Sequence, residues 1–329
     1  MKPILVTGGA GYIGSHCCKL LKNSGWQPIA LDNLVYGHAS LVKWGPLVEM
    51  DLHNTEEIIK VIRQYNIKHV MHFAAYAYVG ESVEQPMKYY HNNVAGTLSL
   101  LEAMEQTDVH KIVFSSTCAT YGNPEYSPLD EAHPQKPINP YGKTKLIVET
   151  ILQDLQAAGK LNYIALRYFN AAGCDADQET GEWHEPETHL IPLALQAVLE
   201  GHKLTVFGDD YDTADGTCVR DYIHVEDIAH AHLQAINLLD KESHSHAINL
   251  GTGAGYSVKE VLDACERVTG QKVPVQIGMR REGDPAVLVA SYAKAKRVLG
   301  WQPRNEGLDS TIESAWQWIK NHENFIEKS

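Results

Sequence analysis

Short apolar runs alternate with amphipathic stretches along the first half of the chain. PILVTGG leads into YIGSHCCKLLKNSG, followed by PIALDN, VEMDL, TEEIIKVIRQYN, HVMHFAA, VAGTLSLLEAMEQT and KIVFSST. The apolar runs show no polar alternation, which suits strands buried on both faces. The segments between them repeat their apolar positions at the helical period and suit crossovers. This order predicts an α/β fold with a doubly wound parallel sheet and helices on both sides. NYIALRYFNAAG and HAINLGTG read as two further strands of that sheet. The loop DADQETGEWHEPETH, the helix LIPLALQAVLEG and the segment VPVQIGMRREGD read as a smaller α/β lobe assembled from separated pieces.

At 329 residues the chain exceeds what one core usually absorbs, which agrees with two lobes. Its 44% apolar and 21% charged residues are those of an ordinary globular protein. A net charge of −13 argues against nucleic acid or an anionic membrane as the main partner. Any bound phosphate must then be met locally, by the N–H groups of a helix start or by placed arginines. The six cysteines are scattered with no CxxC pair, which predicts a reducing, cytoplasmic setting. MKPILVTGG enters a strand at once, which predicts no signal peptide, and no apolar run approaches transmembrane length.

TGGAGYIG places Gly8, Gly11 and Gly14 between the first strand and the first helix. In a dinucleotide fingerprint the first glycine allows the tight turn, the second admits the pyrophosphate and the third lets helix and strand pack closely. Asp32 ends the second strand, about twenty residues further on, where the fingerprint expects an acid. Its carboxylate accepts from ribose hydroxyls and repels a 2′-phosphate, which predicts NAD over NADP. Asp51, ending VEMDL, suits either the adenine side or an ordinary loop. The expected division is an NAD-binding domain over 1–172, also receiving elements from about 218–252, and a smaller, interleaved substrate-binding lobe over 173–329.

NPYGKTK sets Tyr141 four residues before Lys145, on one face of a helix. A tyrosine of ordinary pKa about 10 is a poor base until a cation stabilises its phenolate. Lys145 supplies that cation one turn away. Such spacing is common by chance, and it gains meaning from the fingerprint upstream and from the hydroxyl-rich strand end SSTCATYG.

The glycine triplet, SST and the Tyr141/Lys145 pair resemble the extended short-chain dehydrogenase/reductase family. HFAAYAYVGES, SSTCATYG, INPYGKTK, LRYFNAAG, GTCVRDYIHVEDIA and RREGD resemble its nucleotide-sugar 4-epimerases in particular, from residue 3 to about residue 318. The resemblance implies a UDP-sugar substrate and interconversion of UDP-glucose with UDP-galactose through a 4-keto sugar. Tyr141 as phenolate takes the 4-hydroxyl proton while NAD+ oxidises C4, and the keto sugar turns over and is reduced on its other face. Thr117 matches the hydroxyl bridging the sugar and the tyrosine. The next two positions hold an Asp-Glu pair in the related dehydratases; here they are Cys118 and Ala119, which disfavours dehydration. A catalytic thiol at Cys118 is not expected, since no histidine adjoins it in sequence.

The resemblance further assigns Tyr12, Ile13, Asn33, Leu52, Phe73, Ala74, Asn92 and Tyr168 to the cofactor, with the glycines, Asp32, Asp51, Tyr141 and Lys145. To the substrate it assigns Thr117, Tyr141, Asn170, His189, Leu190, Thr205, Phe207, Arg220, Tyr222, Arg281, Asp284 and Leu288. Phe207 fits a uracil pocket or an ordinary core equally well. Three positions depart from the family pattern. Ala77 stands where many members have a lysine reaching the pyrophosphate, His189 replaces an asparagine, and Leu288 replaces a bulky tyrosine. A smaller residue at 288 opens the alternatives of N-acetylhexosamine substrates, while several blocks also resemble pentose epimerases acting on UDP-xylose and UDP-arabinose. A non-catalytic NAD sensor is the remote alternative, disfavoured by the intact Tyr/Lys pair. The histidine-rich HAH at 230–232 and HSH at 244–246 predict no metal site. The resemblance implies a homodimer, for which VAGTLSLLEAMEQ and GKTKLIVETILQDL supply apolar helices.

Overall fold

The computed structural model describes residues 1–281, 284–305 and 307–322. In chain order the first elements are β1 (Lys2–Thr7), α1 (Tyr12–Asn23), β2 (Trp26–Asp32), β3 (Leu47–Glu49), α2 (Thr55–Tyr65) and β4 (Val70–His72). There follow α3 (Val79–Glu84), α4 (Pro86–Tyr89), a π-helical segment Tyr90–Ala95, α5 (Gly96–Glu105), β5 (Lys111–Thr117), α6 (Pro140–Ala157) and β6 (Asn162–Tyr168). The remainder comprises β7 (Asn170–Ala172), α7 (Leu190–Glu200), β8 (Leu204–Phe207), β9 (Val219–Arg220), β10 (Tyr222–His224), α8 (Val225–Leu239) and β11 (His246–Leu250). Last come β12 (Tyr256–Ser257), α9 (Val258–Thr269), β13 (Val275–Gly278), β14 (Val287–Leu288), α10 (Ala293–Leu299) and α11 (Leu308–Asn321).

Seven parallel strands form the central sheet in the order β11-β6-β5-β4-β1-β2-β3. The strand order reverses at β1, so the crevice beyond the C-terminal ends of β1 and β4 is the expected ligand position for such a sheet. One face packs Cys17, Cys18 and Leu21 of α1 against Ile228, Ala235 and Ile236 of α8. On the other face lie Ile58 and Ile62 of α2, Leu100 and Met104 of α5, and Val148 and Leu152 of α6. β1, β2, β4, β5 and β6 contribute buried apolar residues to both faces, as the sequence pattern predicts, while the edge strand β3 is only partly buried.

A separate core joins Ile191, Leu195 and Val198 of α7, Val261 and Cys265 of α9, and Ile312 and Trp316 of α11. Short ladders accompany it: β13 on β8, and β12 and β14 on β9. Asp221, fully buried, links the two regions by accepting from the backbone N–H groups of Thr252, Gly253 and Ala290.

Polar side chains fix the helix starts where the pattern alone is indefinite. Asn139 accepts from Gly142 N at 2.8 Å and Pro140 opens α6, while Ser257 and Glu260 form a reciprocal capping box on α9. All six cysteines are free thiols. Among the described residues no helix is long and apolar enough to cross a membrane.

Candidate active site

The turn between β1 and α1 is shaped for a ligand rather than for packing alone. Gly8 has φ +72°, and a Cβ there would lie 2.6 Å from the Ala74 nitrogen. A Cβ on Gly14 would lie 2.1 Å from the Gly8 oxygen. On Gly11, by contrast, it would meet nothing nearer than 3.4 Å, so the space above that residue is open. No side chain caps the N-terminus of α1, which leaves the first N–H groups, including those of Tyr12 and Ile13, facing that space. This uncapped helix start fits the pyrophosphate of a dinucleotide.

Asp32 is buried at the end of β2 and accepts from Ala10 N at 3.0 Å and Leu34 N at 2.9 Å, which fixes its carboxylate beside the glycine turn. Beyond it, Asn33 donates to Asp51 at 3.0 Å, so these two expected residues meet on the outer side of the crevice. Leu52 is buried in the core under them. Phe73 and Ala74 follow β4, and both donate their N–H to the Thr7 carbonyl. Asn92 lies in the π-helical turn and donates to Asn93 at 2.9 Å.

β5 and α6 bring the reactive groups together. Thr117 ends β5 and faces Tyr168 across the ladder to β6. Tyr141 and Lys145 sit one turn apart on α6, with the Lys145 Nζ 5.9 Å from the Tyr141 ring centre. Lys145 is buried and donates to the Ser115 carbonyl at 2.8 Å. Burial pushes its ammonium down to about 7, opposed by the negative charge of Glu149. Burial pushes the Tyr141 phenol up to about 12, opposed by a hydrogen bond with the Thr117 side chain. Tyr168 joins the same cluster through a short hydroxyl contact with Ser115. The Cys118 thiol is pushed up to about 12 by burial, despite the Arg220 charge, which leaves it a poor nucleophile.

Past Thr117 the surface changes character. Leu288 and Cys118 both pack on Tyr121, Leu129, Phe169 and Ala290, so residue 288 borders the strand end that carries Thr117. Arg220 pairs with Asp284, and the Arg281 guanidinium lies 3.9 Å from the Phe207 ring centre. Phe207 is 38% exposed, which removes the core reading of this residue. Thr205 is two residues away on β8, bonded by Gln276 at 3.0 Å. Asn170 donates from its side chain to the Asp221 carbonyl at 3.1 Å and pairs with Tyr222 between β7 and β10. Burial raises the Tyr222 phenol, with the Arg220 charge acting the other way. His189 caps α7 through its backbone only, just before Leu190. Ala77 is exposed and carries no charge.

Residues 4–251 match the family described as NAD dependent epimerase/dehydratase. The chain belongs to this family. Its members include a UDP-glucose 4-epimerase of Rhizobium leguminosarum bv. trifolii, 52% identical over 318 residues that cover 96% of either chain. The crystal structure of the UDP-glucose 4-epimerase from Brucella ovis, in complex with NAD, superposes with a TM-score of 0.94 at 50% identity, covering 96% of this chain and 98% of that one. A UDP-glucose 4-epimerase from Stenotrophomonas maltophila, solved with NAD and formylated UDP-arabinopyranose, gives 0.96 at 40% identity, covering 99% and 100%. The family and the parallel-sheet fold expected from the sequence are therefore both borne out.

Several buried contacts beside these residues are not legible in the sequence. Glu149 accepts from Arg167 and from Ser116 at 2.5 Å, all three side chains being buried. A charged residue inside the apolar strand IALRYFN was the available signal, because a buried guanidinium demands a partner. Asn93 accepts from Tyr76 N at 2.8 Å and donates to Thr144 at 3.1 Å, tying the loop after β4 to α6. No sequence pattern announces that contact.

Proposed function

We propose that this chain is an NAD-dependent 4-epimerase of UDP-sugars, interconverting UDP-glucose and UDP-galactose through a 4-keto intermediate. The observation that carries the reading is the meeting of Thr117, Tyr141 and Lys145 at the end of β5, two sheet positions from the glycine turn after β1. The chemistry NAD supplies when bound is reversible two-electron oxidation at carbon.

The chain's own groups have separate tasks in this reading. Gly8, Gly11, Gly14, Tyr12 and Ile13 receive the pyrophosphate, and Asp32 with Asn33, Asp51 and Leu52 receives the adenosine end. Phe73, Ala74, Asn92 and Tyr168 border the middle of the dinucleotide. Thr117 orients the sugar 4-hydroxyl and passes its proton to Tyr141, while Lys145 stabilises the phenolate. Arg220 and Arg281 meet the diphosphate of the substrate, a placement that suits an otherwise acidic chain. Asn170, Leu190, Thr205, Phe207, Tyr222 and Asp284 complete the nucleotide end. The corresponding domain division is 1–172 with the elements of 218–252, and 173–329.

A second reading of substrate choice follows from Leu288. This aliphatic residue, half-buried beside Cys118, leaves more room than a tyrosine and favours N-acetylated UDP-hexosamines as additional substrates. The exposed face of α5 and α6, with Leu98 41% and Ile147 37% accessible, supports a homodimer. The free thiols and the lack of a membrane-crossing helix among the described residues support a cytoplasmic protein.

The test is incubation of purified protein with UDP-galactose, UDP-GlcNAc and UDP-arabinose, with chromatographic separation of products. A C4 epimer is expected from UDP-galactose. No epimer from any of them, with a keto-deoxy sugar formed from UDP-glucose or dTDP-glucose, would overturn the reading.

A further inference from the structure

The segment between β7 and α7 gathers Glu182, His184, Glu187 and His189 around one point. One ligand atom of each lies within 4.8 Å of all the others. His184 Nδ1 is 3.3 Å from Glu182 Oε1 and 3.4 Å from Glu187 Oε2, while His189 Nδ1 is 2.9 Å from Glu182 Oε1 and 2.8 Å from Glu187 Oε1. A tetrahedral zinc ion with bonds of about 2.0–2.1 Å sets its ligand atoms about 3.3–3.4 Å apart. The His184 separations match that spacing, while those of His189, at 2.9 and 2.8 Å, are hydrogen-bond distances that open on exchange of a proton for the metal. The carboxylates are 7% and 6% exposed, too buried for solvent to carry their charge.

Among the described residues, only the cluster's own two imidazoles oppose its carboxylate charge, and neither Glu182 nor Glu187 has a lysine or arginine partner. The other acidic group of comparable tightness, Asp175, Asp177 and Glu179, already holds the Lys19 ammonium at 2.7 Å from each carboxylate. His184 Nδ1 is buried between two carboxylates yet lies off hydrogen-bonding geometry to both. Two neutral imidazoles and two carboxylates balance a divalent charge and offer borderline N/O donors suited to zinc.

We propose that Glu182, His184, Glu187 and His189 bind one Zn2+ in a closed, four-coordinate structural site. The ion assigns the His189 side chain to the metal rather than to the substrate and revises the expectation of no metal site. It pins the loop where His184 meets the Tyr12 ring edge-on at 6.2 Å and Trp183 stacks on His38 at 3.6 Å, closing the rim of the glycine turn.

The experiment uses the full chain purified without a histidine tag, stripped with chelator and titrated with Zn2+ and, separately, Co2+. The expected results are one metal per chain by elemental analysis, a rise in melting temperature with Zn2+, and the visible absorption of tetrahedral Co2+. The double variant His184→Ala/His189→Ala, and Glu187→Gln as a milder change, should each weaken Zn2+ binding by more than the roughly 10–100-fold that outer-shell changes produce. Substoichiometric metal in the wild type, or Co2+ spectra that stay octahedral, would overturn the proposal. So would equal zinc affinity in wild type and Glu187→Gln, a result independent of whether the double variant folds.

Discussion

Glu149 on α6 and Arg167 on β6 form a bidentate ion pair, Nε to Oε1 at 2.9 Å and Nη2 to Oε2 at 2.5 Å, with side chains 0% and 4% exposed. Glu149 lies on the same face of α6 as Tyr141 and Lys145, so the pair fixes the rotation of the helix that presents both. Glu149→Gln leaves a buried guanidinium uncompensated and is expected to cost about 3–5 kcal/mol. Urea denaturation checks it. The double variant Glu149→Met/Arg167→Met should recover much of the loss, because removing both charges also removes their desolvation cost. A single variant as stable as wild type would refute the argument.

The Tyr141 and Lys145 values point to activation only when the site is filled. With the phenol up at about 12 and the ammonium down at about 7, the ligand-free protein near pH 8 holds a neutral tyrosine and a largely neutral lysine. Difference absorbance against Tyr141→Phe should therefore show no phenolate in free protein at about pH 8 and a phenolate signal in protein loaded with NAD+. Lys145→Met is expected to lower kcat by about 10²–10⁴-fold while UDP binding persists. Near-normal turnover in either variant would remove that residue from the proton path.

Gly11 and Gly14 separate binding from folding. Gly14→Ala forces a Cβ to 2.1 Å from a backbone oxygen, and only backbone movement relieves it. It should lower the melting temperature sharply. Gly11→Ala meets nothing nearer than 3.4 Å at φ −85°, so the fold should keep its stability. The added methyl occupies the open space over the helix start, and NAD released on denaturation should fall well below wild type. Equal losses of stability in the two variants would contradict the assignment.

The sequence legibly placed what local chemistry dictates. The glycine turn, Asp32 at the end of β2 and the helical spacing of Tyr141 and Lys145 each follow from a run of a few residues, and the structure places them as read. The parallel sheet followed from apolar runs covered on both faces. What escaped depends on residues distant in the chain. Arg167 meets Glu149 across 18 positions, Asn93 meets Thr144 across 51, and Arg220 meets Asp284 across 64. The cluster of Glu182, His184, Glu187 and His189 is local, yet its spacing matches no helical or strand period and only the folded loop converges it.

Four buried histidines make the fold sensitive to acid. Burial pushes His72 down to about 3 and His16, His224 and His232 down to about 4, with side chains such as that of His72 bonded on both ring nitrogens by Thr7 and Thr97. Their unfolded counterparts titrate near 6.5. Between those values the unfolded chain binds a proton that the folded chain does not, so stability falls as pH drops. Each site contributes a slope of about 1.4 kcal/mol per pH unit, and four together about 5 kcal/mol per unit from about pH 6 to pH 4. His184 and His189 do not enter this window. Burial lowers them, but Glu182 and Glu187 outweigh it and raise them to about 9 and 10, so in the metal-free protein both states are protonated there. Urea midpoints measured at intervals between pH 7 and 5 should decline steeply, and His232→Gln should flatten the slope by about one proton. Midpoints independent of pH across that range would show that the histidines titrate alike in the folded and unfolded chain.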